Sequence, residues 1–237
     1  MGDYGRAIER DGVAVLPGVL GGALIADAKD WLAKVERQGR SIPESYQPEF
    51  EPGPADDEST PPRKLRRLLW NDRPFWQDFL ARSGLADLAR ALVPSPVLIF
   101  HAAFLKPRRV GSHVGFHQDQ ALWDRVHPGA VSIWVALEES NAGNGALKGF
   151  PGSHTGGEIE HAESEDHPWH PVIDVERAGL GQPRDLSVGA GDAVAWHRYF
   201  VHGSGPNRSD SDRRGMVMVF ASEAHGPVIE PDRHRLR

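Results

Sequence analysis

The stretch Val114-Gly115-Phe116-His117-Gln118-Asp119-Gln120-Ala121-Leu122-Trp123 (VGFHQDQALW) decides how this chain is read. If residues 114–120 form an extended strand, His117 and Asp119 share one face, because strand side chains repeat every second residue. A helix would point the same pair apart. A second imidazole comes from far downstream, at His202. Two imidazoles and one carboxylate on one side of an ion leave the opposite side open, a pattern suited to non-haem Fe(II) oxygen chemistry. Arg213, eleven residues after His202, adds a permanent cation of the kind a dicarboxylate co-substrate requires.

Composition narrows the alternatives. The chain has 237 residues, 39% of them hydrophobic, enough for a packed core in one domain spanning 1–237. Its 26 glycines and 19 prolines imply many turns. A net charge of -6 argues against general affinity for nucleic acid or for an anionic membrane surface. With no cysteine, disulfides and thiolate metal sites are excluded. The opening MGDYGR lacks the basic-then-apolar pattern of a secretory signal, and no run approaches about 18 apolar residues. The expectation is a cytoplasmic protein without a membrane span.

Outward from the central stretch, two textures alternate. Residues 11–20 (DGVAVLPGVL) read as a short strand closed by a Pro-Gly turn. Apolar positions Leu24, Ala28, Trp31, Leu32 and Val35 predict an amphipathic helix over 23–38. The Pro-rich, acidic stretch 41–62 reads as a loop or flap, and 73–93 as a second helical region with Pro74 near its start and Pro94 beyond its end. From about residue 96 to 225 strands dominate: 97–105, 114–120, 130–137, 185–188, 192–198 and 215–221, interrupted by a polar insertion over 154–183. Helices first and strands afterwards predict a mainly β fold, with a helical flank over about 1–95 and an all-β core after it.

With 12 histidines present, neither His117-x-Asp119 nor His202 is informative alone. Order and spacing are. The opening DGVAVLPGVL, then FHQDQALW, VSIWVALEES, NGALKGFPGSH, GAGDAVAWH and HGSGPNRSDSDRRGMVMVF together resemble the phytanoyl-CoA dioxygenase family of Fe(II)/2-oxoglutarate oxygenases. The resemblance covers most of the chain. It implies a double-stranded β-helix, a jelly-roll or cupin-like barrel. It implies His117, Asp119 and His202 as metal ligands, and Arg213 as the partner of the distal 2-oxoglutarate carboxylate. Ser204 would add a hydroxyl there, and Trp134 would wall the co-substrate, unless it is plain core packing. The implied reaction consumes 2-oxoglutarate and O2, releases succinate and CO2, and hydroxylates an unactivated C–H bond. Related halogenases lack the carboxylate, so Asp119 argues against halogenation. Desaturation, cyclisation and epoxidation use the same ligands and stay open.

The substrate side is less legible. The 41–62 and 154–183 segments are expected to border the iron. The basic run Arg63-Lys64-Leu65-Arg66-Arg67 is read either as a greeting surface for an anionic substrate or as a solvated helix face or ion-pair cluster. Phe104, Trp123 and Trp169 are candidate substrate contacts, with Phe100 beside them; core packing is the competing reading for Phe100 and Phe104. His161, His167 and His170 fit no ligand spacing well, so a lid is preferred over a second metal site. His101, His113 and His197 are read as structural or surface groups, and the role of Lys106 is open. The expected partner is a small organic molecule, acted on by a monomer or homodimer. Two alternatives are carried: a cupin-like metal isomerase or hydrolase without 2-oxoglutarate, opposed by Arg213 and Ser204, and a non-enzymatic metal-binding protein, opposed by the intact ligand set.

Overall fold

The computed structural model describes residues 2–53, 57–123, 126–165, 169–223 and 234–235. Alternation of side chains along the strands organises the molecule into layers. In β6 (Val131–Ala136), Val131, Ile133 and Val135 join an outer apolar cluster, while Trp134 and Ala136 join an inner one. In β11 (Arg213–Ser222), Met216, Met218 and Phe220 face outward, and Val217 and Val219 face inward. The same alternation places Arg213 inside and its neighbour Arg214 outside. Arg214 there pairs with Glu36 at 2.8 and 2.9 Å.

The major sheet runs β1 (Val13–Leu16), β9 (Ala193–His197), β6, β11, β4 (Pro96–Lys106), β3 (Pro62–Arg66), β2 (Glu49–Phe50), with β12 (His234–Arg235) also pairing with β4. The minor sheet runs β5 (Val114–His117), β10 (His202–Ser204), β7 (Leu147–Gly149), β8 (Arg184–Leu186). All pairings are antiparallel. The result is the mainly β jelly-roll barrel expected, with helices on one side.

Those helices cover the outer face of the major sheet. They are α1 (Asp3–Asp11), α2 (Gly22–Glu36), the short α3 (Leu68–Asn71), α4 (Arg73–Arg82) and α5 (Leu85–Leu92). Ala28, Leu32, Trp76, Phe79 and Leu85 are buried there against the sheet. Fully burying each large side chain of this kind contributes about 1.5–3 kcal/mol. Asp72 caps α4 by accepting from the Phe75 amide at 3.2 Å, and its other oxygen accepts from Trp31 Nε1 at 2.8 Å. One carboxylate thus starts a helix and ties it to α2.

Three expectations need correction, and one helix was not anticipated. The 73–93 region is two helices, because Ser83-Gly84 breaks it and Gly84 takes a left-handed φ of 69°. The 41–62 stretch is not wholly irregular: β2 lies inside it, and Pro62 opens β3, where a missing N–H is tolerated. The basic run is mostly strand, so the helix-face reading fails while the ion-pair-cluster reading stands, with Arg63, Lys64 and Arg66 around Glu49; the flank thus adds β2 and β3, beside the expected strand β1, to the major sheet. Helix α1 has no counterpart in the sequence reading: its nine residues are mostly polar and bury just Gly5 and Ile8, so few apolar positions mark its inner face. Among the described residues no helix is long and apolar enough to cross a membrane.

Candidate functional site

Strand β5 ends at His117, Gln118 keeps an extended backbone (φ −108°, ψ 134°), and Asp119 opens a 3-10 turn over Asp119–Leu122. The expected strand over 114–120 is thus shorter, but one extended residue between His117 and Asp119 is all the shared face requires. His202 opens β10 directly opposite His117 in the pairing register. The ligand atoms of His117, Asp119 and His202 all lie within 4.8 Å of one another. Asp119 Oδ1 stands 3.7 Å from Nε2 of each histidine.

The surrounding bonds fix which atoms face that point. His117 Nδ1 lies 2.9 Å from the Gly115 carbonyl and His202 Nδ1 lies 3.0 Å from the Phe200 carbonyl. A carbonyl only accepts, so both Nδ1 atoms carry the proton and both Nε2 lone pairs point into the site. Burial, with His202 and His170 alongside, holds the His117 imidazole well below its ordinary range and therefore neutral. Asp119 Oδ2 accepts from Ser132 Oγ and from Trp196 Nε1, the latter at 2.8 Å. Ser132 and Trp196 are register partners on β6 and β9, so the major sheet presents two donors side by side. Sequence reasoning missed both, because a Ser and a Trp in apolar strands look like core.

Gln118, between His117 and Asp119, points the other way and is fully buried. Its amide nitrogen donates to the Gly157 and Tyr199 carbonyls at 2.8 Å each, and its amide oxygen accepts from the Ile159 N–H at 2.8 Å. The Gln118 backbone N–H donates to His161 Nε2 at 3.0 Å. The start of the 154–183 insertion is therefore stapled to the end of β5, and His161 is part of that staple. Among the described residues, His117, Asp119 and His202 form the one cluster suited to a metal; His167 lies outside the described residues.

Arg213 is 2% exposed. One guanidinium nitrogen donates to the Gly145 carbonyl, the ring of Trp134 lies 5.1 Å away, and Nε has no partner. A buried orphan donor costs about 1–3 kcal/mol. A carboxylate would satisfy it bidentately. Burial pushes Arg213 down to about 10, which leaves it a cation at neutral pH. Trp134 lies so close over Gly215 that a β-carbon there would fall 2.2 Å from the ring. Arg213, Trp134 and Gly215 thus form one tightly fitted corner.

A sequence model of the family described as Phytanoyl-CoA dioxygenase (PhyH) matches residues 8–215. The chain belongs to the phytanoyl-CoA dioxygenase family. It is 28% identical over 179 residues to a probable alpha-ketoglutarate-dependent hypophosphite dioxygenase of Stutzerimonas stutzeri, covering 70% of this chain and 60% of that protein. It is 28% identical to L-proline trans-4-hydroxylase of Streptomyces griseoviridis, covering 61% of this chain and 62% of that one. The chain spans about three fifths of the length of these relatives. Among solved structures, AviO1 from Streptomyces viridochromogenes Tue57 superposes with a TM-score of 0.74 at 29% identity, covering 96% of this chain and 98% of that one. EctD from S. alaskensis, solved with 2-oxoglutarate and 5-hydroxyectoine, shares the fold with a TM-score of 0.73 at 19% identity, covering 94% of this chain and 77% of that one.

In this phytanoyl-CoA dioxygenase family chain, one cavity of about 590 Å³ between the sheets gathers the candidates. Its wall includes His117, Asp119, His202, Arg213, Ser204, Trp134, Phe104, Trp123 and Trp169. Phe100 and Phe104 both line it, while packing on the inner core cluster. Lys106, register partner of Arg213, lies along the wall and donates from Nζ to the Ser112 carbonyl at 2.5 Å. His101 is not in the cavity: it is buried behind the sheet against Trp76, ring centroids 4.7 Å apart. His170 is a lining residue that sequence reasoning left inside a lid; its ring stands 4.4 Å from that of His117.

Proposed function

We propose that this chain is an Fe(II)- and 2-oxoglutarate-dependent oxygenase that hydroxylates an unactivated C–H bond of a small organic molecule. The observation that carries the reading is the pairing of two preset features in one cavity. Two imidazole Nε2 atoms and Asp119 Oδ1 converge, with every other polar atom of those side chains already bonded. Beside them stands a buried guanidinium with an unsatisfied N–H. The donor set suits Fe(II) with open positions. His117, Asp119 and His202 would hold the ion, and Arg213 with Ser204 would hold the distal carboxylate of 2-oxoglutarate. Bound iron would supply the activation of O2, coupled to conversion of 2-oxoglutarate to succinate and CO2.

The chain's own groups do the rest. The Gly115 and Phe200 carbonyls fix the imidazole tautomers, and Ser132 and Trp196 orient the carboxylate. Trp134 gives the co-substrate a flat apolar wall, and the cavity between the sheets holds the reacting carbon beside the ligand cluster. The dioxygenase and hydroxylase relatives support this reading, and the intact Asp119 supports hydroxylation over halogenation. We place the protein in the cytoplasm, as a monomer or homodimer acting on a diffusible substrate. The test is succinate formation from 2-oxoglutarate under air with added Fe(II). The reading expects iron-dependent succinate that rises with substrate. Absence of succinate in the iron-loaded protein across a broad substrate panel contradicts it.

A further inference from the structure

The phrase Pro151-Gly152-Ser153-His154 contributes nothing to the cavity wall, yet it ties together two distant parts of the chain. Gly152 takes a left-handed φ of 85° and opens a 3-10 turn over Ser153–Gly156. One side of this turn grips the C-terminus of α1. The Gly152 N–H donates to the Asp11 carbonyl at 2.8 Å, and His154 Nε2 lies 3.0 Å from the Glu9 carbonyl. A carbonyl only accepts, so His154 Nε2 carries the proton. The last carbonyls of a helix have no partner within it, and the turn supplies partners for two of them.

The other side of the turn holds the residues that lead into His202. Ser153 Oγ accepts from the Val201 N–H at 2.9 Å, and the Val201 carbonyl accepts from the Phe150 N–H at 3.1 Å. Val201 directly precedes His202 and is fully buried. The buried His154 ring meets that of His197 edge-on, centroids 5.4 Å apart, and lies so close under Gly12 that a β-carbon there would fall 2.6 Å from Nδ1. The Gly12 carbonyl accepts from the His197 N–H at 2.9 Å, and the His197 carbonyl accepts from the Phe200 N–H at 2.8 Å. The Phe200 ring fits against Gly12 and Gly149 and lies parallel to the His202 imidazole, centroids 6.2 Å apart. Its carbonyl is the one that fixes His202 Nδ1. Two short routes therefore run from the turn to His202: Ser153 through Val201, and His154 through Gly12, His197 and Phe200. His117 and Asp119 share one short segment, whereas His202 comes from another strand and depends on what holds residues 197–201.

We propose that Ser153 and His154 are positioning residues for His202: they hold the backbone at Phe200 and Val201 so that His202 Nε2 meets His117 and Asp119 at a common point. Helix α1, remote from the cavity, thereby becomes part of the support of the metal site. The inference rests on the reading of His202 as a metal ligand. Arg213 stands on β11 of the other sheet, so the co-substrate corner is outside the reach of this tie.

The experiment titrates the full chain, freed of metal and kept from oxygen, with Co(II), whose visible bands report the number and arrangement of its ligands. Fe(II) affinity is read in parallel by competition with a chelator, well below the melting temperature. Ser153→Ala and His154→Ala are each expected to weaken Fe(II) affinity about 10- to 100-fold and to move the Co(II) spectrum toward that of His202→Ala. Ser153→Thr keeps the hydroxyl, and His154→Gln keeps an N–H donor at the place of Nε2. Both should restore affinity to within a few-fold of the unmodified chain. If an alanine variant does not fold, Ser153→Cys, a poorer acceptor, or His154→Asn, whose amide stops short of the Glu9 carbonyl, takes its place with the same expectation. Unchanged affinity and spectrum in the variants, with a lowered melting temperature or without one, overturns the proposal, since a purely structural tie would do no more than that. Loss that Ser153→Thr and His154→Gln fail to restore also overturns it. Failure of the metal-ligand reading looks different: no Co(II) spectrum in the unmodified chain, or full affinity in His202→Ala.

Discussion

Asp119 shows how much one side chain can specify. Its Oδ2 is committed to Ser132 and Trp196, so only Oδ1 is left to face the histidines. Removing these donors leaves the carboxylate free to rotate without touching a ligand atom. Ser132→Ala and Trp196→Phe are each expected to weaken Fe(II) affinity about 10- to 100-fold, read by competition with a chelator. Affinity unchanged in both would mean that Asp119 is oriented by something else. Arg213 is the parallel case. Arg213→Ala deletes a buried charged partner, a loss of about 2–5 kcal/mol. The KM for 2-oxoglutarate should rise about 100-fold, while Fe(II) affinity stays within a few-fold. An unmoved KM removes Arg213 from the co-substrate site.

At the scale of elements, the register of the major sheet does the positioning. Gly215 on β11 leaves room for the Trp134 ring, and the ring in turn flanks Arg213. Gly215→Ala therefore overpacks this corner, at a cost of about 1–3 kcal/mol and a melting temperature several degrees lower. The cost should shrink when Trp134→Ala is added, since the two changes share one contact; strict additivity would contradict the packing argument. This dependence on register also separates what the sequence reveals from what it hides. His117-x-Asp119 and the Arg213/Arg214 alternation are legible because period-two geometry is local. Ser132 and Trp196 meet Asp119 only because β6 and β9 pair in one register, which no single strand records. The register slip between β2 and β3, where Glu49 pairs with Lys64 but Phe50 with Pro62, is likewise a property of two paired strands, so residues 63–67 read as an undecided basic run. The split of α4 from α5 was visible at Ser83-Gly84, but the apolar spacing across it masked the break.

For the molecule as a whole, the helical layer is as necessary as the barrel, and it encloses a titratable group. Both ring nitrogens of His101 lack partners, and burial alone pushes it down to about 3 from 6.5. Between those values the unfolded chain holds a proton that the folded chain refuses. Stability contributed by neutral His101 is therefore complete above about pH 6.5 and declines as pH falls, by about 1.4 kcal/mol per unit. His197, pushed down to about 4 mainly by burial, adds in the same direction. In metal-free protein, His101→Leu should lose less of its urea midpoint between about pH 7 and pH 5 than the unmodified chain does. Identical losses would place the acid sensitivity elsewhere.

The central claim is that one cavity binds Fe(II) through His117, Asp119 and His202 and seats 2-oxoglutarate against Arg213. The most direct measurement is the visible absorption of the protein titrated with Fe(II) and then 2-oxoglutarate in the absence of oxygen. The account predicts a weak charge-transfer band that saturates at one equivalent of iron, disappears in His202→Ala, and needs far more 2-oxoglutarate in Arg213→Ala. No band in the unmodified protein, or a band indifferent to both substitutions, contradicts it.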